Sequence, residues 1–158
     1  MNIDSREAKA LADIERYGCH VIHVAAEGDL PPFSYSVGIW RSSGNPEVVV
    51  IGLKQNFAHF VVNEYNRRAR VGEVFVPGVL YAEFIEGFEV AFEKVDHAFY
   101  ADHFGWDLRL YDGSDFEVLQ LVYPTTTGAW PWQSSAPECF RSWQPILTSA
   151  PLNPTKYP

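Results

Sequence analysis

Cysteine is nearly absent from this chain of 158 residues, which holds only Cys19 and Cys139, far apart. That excludes the disulfide framework of a small secreted domain and leaves room for one bridge at most. Long apolar runs are missing too, since none nears the roughly 18 residues a bilayer-spanning helix needs. The opening segment, MNIDSREAKALADIERYG, is polar and lacks the apolar stretch of a secretory signal. A cytoplasmic location is the expectation. Positive charge is also scarce: 12 Lys and Arg stand against 20 Asp and Glu, a formal net charge of −8. Such a field repels nucleic-acid phosphates and anionic membranes, so neither is an expected partner.

The common catalytic signatures are absent as well. The chain has no HExxH and no paired CxxC, no GxSxG elbow, and neither GxxxxGK[ST] nor GxGxxG. His20 and His23 stand three apart in a strand-like stretch, where alternation points them to opposite faces. His97 and His103 are six apart on a helical segment, roughly 600° of rotation, and share no face either. No metal site is expected. Cys19 adjoins His20, but strand neighbours face opposite ways, so it reads as a small buried hydrophobe. The TTTG run at 125–128 offers hydroxyls and a glycine, a weak phosphate-binding signal.

What the chain does have is aromatic bulk. Five Trp, eight Tyr and eleven Phe, with 47% hydrophobic residues overall, are enough for one sizeable core, and the length suits a single domain over 1–158. DSREAKALADIERYG reads as a capped helix ending at Gly18. CHVIHVAA, FSYSVGIW and PEVVVIGL read as strands, the last two joined by the turn-like RSSGN. QNFAHFVVNEYNRRARVG is a second helix, with Phe57, Ala58, Val61, Val62, Tyr65 and Ala69 as its apolar stripe. His59, Asn63, Asn66 and Arg70 form its polar face, and Arg67, Arg68 and Arg70 suit the negative end of the helix dipole. FEVAFEKV is a half-exposed strand, DHAFYADHFGW a short helix capped by Asp96, and DFEVLQLVYP a strand apolar enough for the middle of the sheet.

From Pro124 onward the character changes. Seven of eleven prolines fall in the last 35 residues, together with Trp130, Trp132 and Trp143. This is expected to be an irregular strap packed across the body, with only the last several residues fraying. The fold class that follows is α+β: a mostly antiparallel sheet of about five strands, with barrel closure left open, two main helices and a Pro/Trp-rich C-terminal strap.

The most distinctive residues sit on punctuated strands. Glu47 follows Pro46 and precedes four apolar residues, and a carboxylate there needs a partner or water. Gln120 interrupts an apolar strand in the same way, and Tyr35 brings a hydroxyl. Tyr35, Glu47, Gln120, Trp130 and Trp132 are therefore the candidate ligand-binding residues. In PPFSYSVGIW, counting by twos puts Ser34, Ser36 and Gly38 on one low-relief face, against which the proline strap is expected to pack.

These motifs resemble a bacterial family known as domain of unknown function 4262. PPFSYSVGI, GNPEVVVIGL, FVPG, LQLVYPT, WPW and WQPIL occur in the family's order, from about Ile14 to Leu147. The resemblance implies no established reaction. It singles out Pro32, Tyr35, Gly38, Pro46, Glu47, Gln120, Pro131 and Trp132 as family-type positions. The chain departs at Asn45, where the family tends to have His, and at Thr125, where it tends to have Asp.

Two functional readings follow. Ten acids lie between Glu83 and Glu117 against Lys94 and Arg109 alone. Such a surface suits a non-catalytic binding module of adaptor or toxin-immunity type, engaging a basic protein partner through Glu83, Glu86, Glu89 and Glu93. The other reading is a small cofactor-binding enzyme of the flavin split-barrel type. There Trp130 or Trp132 would cover FMN, and TTTG or Arg67–Arg70 would meet its phosphate.

Overall fold

The computed structural model describes residues 4–148. Helix α1 (Ser5–Tyr17) begins where the Asp4 carboxylate accepts from the amides of Arg6 and Glu7, and it stops at Gly18, whose φ is +95°. Strands β1 (His20–Val24), β2 (Phe33–Val37) and β3 (Glu47–Ile51) follow, with a short helix α2 (Ile39–Ser43) between the last two. Helix α3 (Gln55–Arg70) leads to the hairpin β4 (Tyr81–Ile85) and β5 (Phe88–Lys94). A 3-10 turn (His97–Phe99), α4 (Tyr100–His103), α5 (Gly105–Leu110), the strand β6 (Val118–Val122) and α6 (Glu138–Trp143) complete the order.

The sheet has six strands in the order β1-β2-β3-β6-β5-β4. Every pair is antiparallel except β3 with β6. After β3 the chain crosses one face as α3, builds the β4–β5 hairpin at the far side, then returns to fill the central slot with β6. That return is what makes the β3–β6 pair parallel. It also leaves β1 and β4 as opposite edges, so the sheet is open and not a barrel. All five residues of β6 are buried, as a central strand requires.

The sixth strand is the one that alternation does not reveal. In β4 the register with β5 slips between Tyr81 and Ile85, and Glu83 sits at φ +73°. The bulge erases the two-residue period that would announce the strand, and it twists an edge that could otherwise pair with another chain. The second correction lies in PPFSYSVGIW. The strand ends at Val37, Gly38 turns at φ +108°, and Ile39 to Ser43 are helical, so RSSGN is no simple hairpin link.

Two apolar layers sandwich the sheet. On one face α3 packs Val61, Val62 and Tyr65 against Val48, Val50, Leu121 and Phe92. On the other, Tyr100, Phe104 and Phe116 pack with Tyr35, Val49, Val118 and Leu147. Phe57, expected in the apolar stripe, is 57% exposed, whereas Asn66 from the polar face is buried and donates to the Tyr17 carbonyl at 2.8 Å. DHAFYADHFGW is broken into the 3-10 turn, α4 and the start of α5. Cys19 and Cys139 are unbridged, the first buried and the second exposed.

The strap does pack on the body, but across β6 and not against Ser34, Ser36 and Gly38. Gln144 clasps the backbone of Tyr123 twice: the Tyr123 amide donates to its Oε1 at 3.0 Å, and its Nε2 donates to the Tyr123 carbonyl at 2.9 Å. Gln120 answers from the strand. Its Nε2 donates to the Pro145 carbonyl at 2.9 Å, and its Oε1 accepts from the Leu147 amide at 2.8 Å. The fraying expected of the last several residues lies outside the described residues. Replacing Gln120 by Ala leaves that amide and that carbonyl unmatched and opens a cavity, so Gln120→Ala is expected to cost about 2–4 kcal/mol in denaturant unfolding. Hydrogen exchange at the Leu147 amide should accelerate well beyond the global change. Unchanged local protection would refute the clasp.

Candidate functional site

Glu47 is wholly buried, and the two halves of the family pattern meet on its carboxylate. Oε1 accepts from the Ser36 hydroxyl at 2.7 Å and from the Ile39 amide at 3.1 Å. Oε2 accepts from the amides of Gly38 at 3.1 Å and Trp40 at 3.0 Å, and from the Tyr111 hydroxyl at 2.5 Å. Three successive amides at the start of α2 thus converge on a side chain from the next strand, which caps a helix that has no side-chain cap of its own. Ser36 also serves the sheet, because its Oγ accepts from the Val48 amide at 2.9 Å. A hydroxyl thereby replaces a backbone carbonyl where the β2–β3 ladder opens after Tyr35.

Gly38 is required here twice over. Its φ is +108°, and a Cβ on it would stand 2.7 Å from Ile14 Cγ1 of α1. What lies on the side of the low-relief face is α3, with Glu47 against Ser36, α1 against Gly38, and His23 at the far end: the Ser34 hydroxyl and His23 Nδ1 are 2.7 Å apart.

A second carboxyl group lies nearby. Asp107 on α5 is also wholly buried, and neither oxygen has a hydrogen-bond partner among the described residues. Burial first, and the charge of Glu47 second, push its pKa well above the ordinary carboxylate value, with the Gly38 amide pulling the other way. Burial also raises Glu47, while the donors from Tyr111, Ser36 and the backbone oppose that rise. Five donors and no acceptor favour the ionised form at Glu47, so Asp107 is the member that keeps its proton. Burial and the Glu47 charge also push the Tyr111 phenol upward, keeping it a donor.

The five candidate ligand residues do not share a site. Tyr35, Glu47 and Gln120 are 2%, 0% and 0% exposed and belong to the packed interior. The Tyr35 hydroxyl accepts from the Trp106 amide at 3.3 Å, which ties β2 to α5. Trp130 and Trp132 stack on each other, centroids 5.3 Å apart and planes 1° from parallel. TTTG closes a local turn, in which Thr125 Oγ1 accepts from the Ala129 amide. Asn45, the other departure from the family pattern, donates to the carbonyl of Ser43 and, at 3.4 Å, to that of Ala69. His97 and His103 contact the carbonyls of Ser114 and Phe99. Among the described residues no three His, Cys, Asp or Glu side chains converge to hold a metal.

The acidic residues divide. Glu93 is buried at 3% exposure on the sheet, because β5 is covered on both faces at that position; it is no surface carboxylate. Glu83, Glu86 and Glu89 are exposed, around the tip of the β4–β5 hairpin. They edge a groove of about 1080 Å³ whose other wall is the start of α3, with Leu53, Phe57, Phe60 and Val61. Phe57 and Phe60 are each 57% exposed. The hairpin contributes Phe84, Ile85 and Phe88 to the same groove. None of these three carboxylates makes an ion pair among the described residues. Sequence reading found the acids and missed the two phenylalanines. The available signal was breadth: Phe57, Phe60, Val61 and Val62 span more of the helix than one buried face can use.

An open six-stranded α+β sheet with one long helix across a face, stitched by a buried glutamate, is the class of domain defined here. The family model described as domain of unknown function (DUF4262) matches residues 13–137, most of the chain, and the protein belongs to that family. No curated protein and no solved structure matches it.

Glu47→Gln puts an amide N–H₂ among five donors and removes the charge, so a loss of about 3 kcal/mol or more is expected. Asp107 gives a separate pH signature. Its folded pKa is raised, so the stability tied to its proton is full below about pH 4 and is lost as pH rises through the folded value. Asp107→Asn removes that loss. The melting-temperature gap between Asp107→Asn and the parent protein should widen in favour of the variant from acid to alkaline pH, and a constant gap would refute the assignment.

Proposed function

We propose that the protein is a binding module that seats a basic, amphipathic segment of a protein partner in the groove between α3 and the β4–β5 hairpin. The observation that carries this reading is the pair of half-exposed rings, Phe57 and Phe60, facing three uncompensated carboxylates. Large apolar side chains exposed together, beside a polar rim of one sign, are the usual makings of an interface. The apolar floor provides desolvation energy, and Glu83, Glu86 and Glu89 select for Lys and Arg and speed encounter. A second copy of this chain is a poor occupant, since its own net charge is −8. A binding module of adaptor or toxin-immunity type fits this surface. The flavin alternative draws no support from an open sheet or from tryptophans that stack on each other.

The probe is a labelled amphipathic Leu/Lys peptide, read by fluorescence anisotropy at low salt, beside a counterpart with Glu for Lys. The Lys peptide should bind and the Glu peptide should not. Phe57→Ala with Phe60→Ala should weaken binding about tenfold or more, with melting unchanged because both rings are largely in water. Glu83→Gln, Glu86→Gln and Glu89→Gln together should flatten the salt dependence. No binding of the Lys peptide, equal binding of the Glu peptide, or indifference to the phenylalanine changes would each overturn the reading.

A further inference from the structure

The other flank of α3 is chemically opposite. A cleft of about 980 Å³ lies between α1, β1 and the polar side of α3. It gathers Lys9, Arg67 and Arg70, three of the chain's twelve Lys and Arg, with His20, His23 and His59, three of its five histidines. Among the described Asp and Glu residues, only Asp13 lines it. Asp13 is already engaged: Lys9 Nζ lies 3.0 Å and His20 Nδ1 2.7 Å from its Oδ2. Arg67 pairs with Glu64 outside the cleft, whereas Arg70 has no carboxylate partner among the described residues and donates to the Tyr17 carbonyl at 2.6 Å. In a chain of net charge −8, this segregation of cations and imidazoles into one concavity is the feature that the groove on the far side does not explain.

From this clustering we infer that the cleft binds a small molecule bearing a phosphate monoester, held between Arg70, Arg67 and the His23–His59 pair. The imidazoles are arranged for it. His23 Nε2 and His59 Nδ1 are 3.2 Å apart, a hydrogen bond, and His23 Nδ1 is engaged by the Ser34 hydroxyl, so His59 Nε2 is the ring nitrogen the pair can turn to an anion. Two rings so placed repel when both are charged, and an anion between them and the guanidinium groups relieves that repulsion. Burial first, and the neighbouring imidazoles His59 and His20 second, lower the His23 pKa. Anion binding is therefore coupled to proton uptake. The other charged and polar groups lining the cleft are Lys9, Asp13 and Tyr17 from α1, Cys19 beside β1, His20 from β1, and Gln55, Asn63, Asn66, Arg67 and Arg70 from α3. The guanidinium fork suits phosphate oxygens in geometry as well as charge.

The test uses the whole chain and three probes: inorganic phosphate, sulfate and citrate. Saturable shifts of the histidine ring signals in NMR and heats of binding are the readouts. Phosphate and sulfate should saturate at about millimolar concentration, and sulfate, whose charge is fixed, should bind more tightly at about pH 6 than at about pH 8. His59→Gln and Arg67→Gln, both at exposed positions, should each weaken phosphate about fivefold or more with melting unchanged. Absence of saturation by about 20 mM, equal affinity in both variants, or no pH dependence for sulfate would overturn the site. Citrate binding about tenfold tighter than phosphate would overturn the phosphate assignment.

Discussion

A carboxylate in the protein interior fixes the geometry of the sheet's first half. Glu47 has lost its water, and desolvation of that charge is compensated only because Ser36, Gly38, Ile39, Trp40 and Tyr111 all aim donors at it. The consequences spread outward. Satisfying three consecutive amides forces the chain after β2 into a helical turn and leaves Gly38 at a positive φ. That turn lets α1 approach until Ile14 touches the glycine. Tyr111 ties the far end of α5 to the same point and thereby delivers Asp107 into the interior. Asp107 is tolerated as a neutral acid because the charge beside it is already fixed on Glu47.

The C-terminal clasp solves a similar problem with neutral groups. Two buried glutamines, Gln120 and Gln144, supply donors and acceptors to a strap that has no strand partner among the described residues. Glutamate at one end of the sheet and glutamine at the other thus do the work that ladder hydrogen bonds do elsewhere. The irregular segments are held to the regular ones by polar side chains that the sequence places inside apolar strands.

That placement is why much of the fold was legible and much of the site was not. Periodicity disclosed α1 and α3, each with one apolar face, and runs of β-branched and apolar residues disclosed β1, β3, β5 and β6, of which β3 and β6 are buried along their whole length. It failed at β4, where the bulge at Glu83 breaks the alternation, and at Ile39–Ser43, whose helical turn depends on a residue eight positions away. The polar residues Glu47 and Gln120 were conspicuous for a sound reason, burial without an evident partner. Their hydrogen-bond partners are groups of the same chain, backbone above all. Glu93 was misplaced because its neighbours Glu89 and Lys94 are exposed, and alternation cannot tell a doubly covered strand position from a solvated one. Phe57 was hidden for the converse reason, read as core in the apolar stripe, and Phe60 lay outside that stripe; both rings are exposed because the core absorbs so little of the helix.

The width of the sheet then determines where function can reside. Six strands about 4.8 Å apart make a face about 25 Å wide, and a helix with its side chains covers only about 10 Å of it. A single long helix on one face leaves a concavity on each flank, and α3 dresses them differently. Its His59, Asn63, Arg67 and Arg70 face the β1 side, and its Phe57 and Phe60 face the acidic hairpin. The family-type residues Tyr35, Gly38, Glu47 and Gln120 lie in neither concavity. They belong to the scaffold, whereas Phe57, Phe60, His59 and Arg67 on the two flanks are exposed. Apart from Leu53, which closes GNPEVVVIGL, both concavities are lined by residues outside the motifs that carry the family resemblance, so that resemblance is one of architecture.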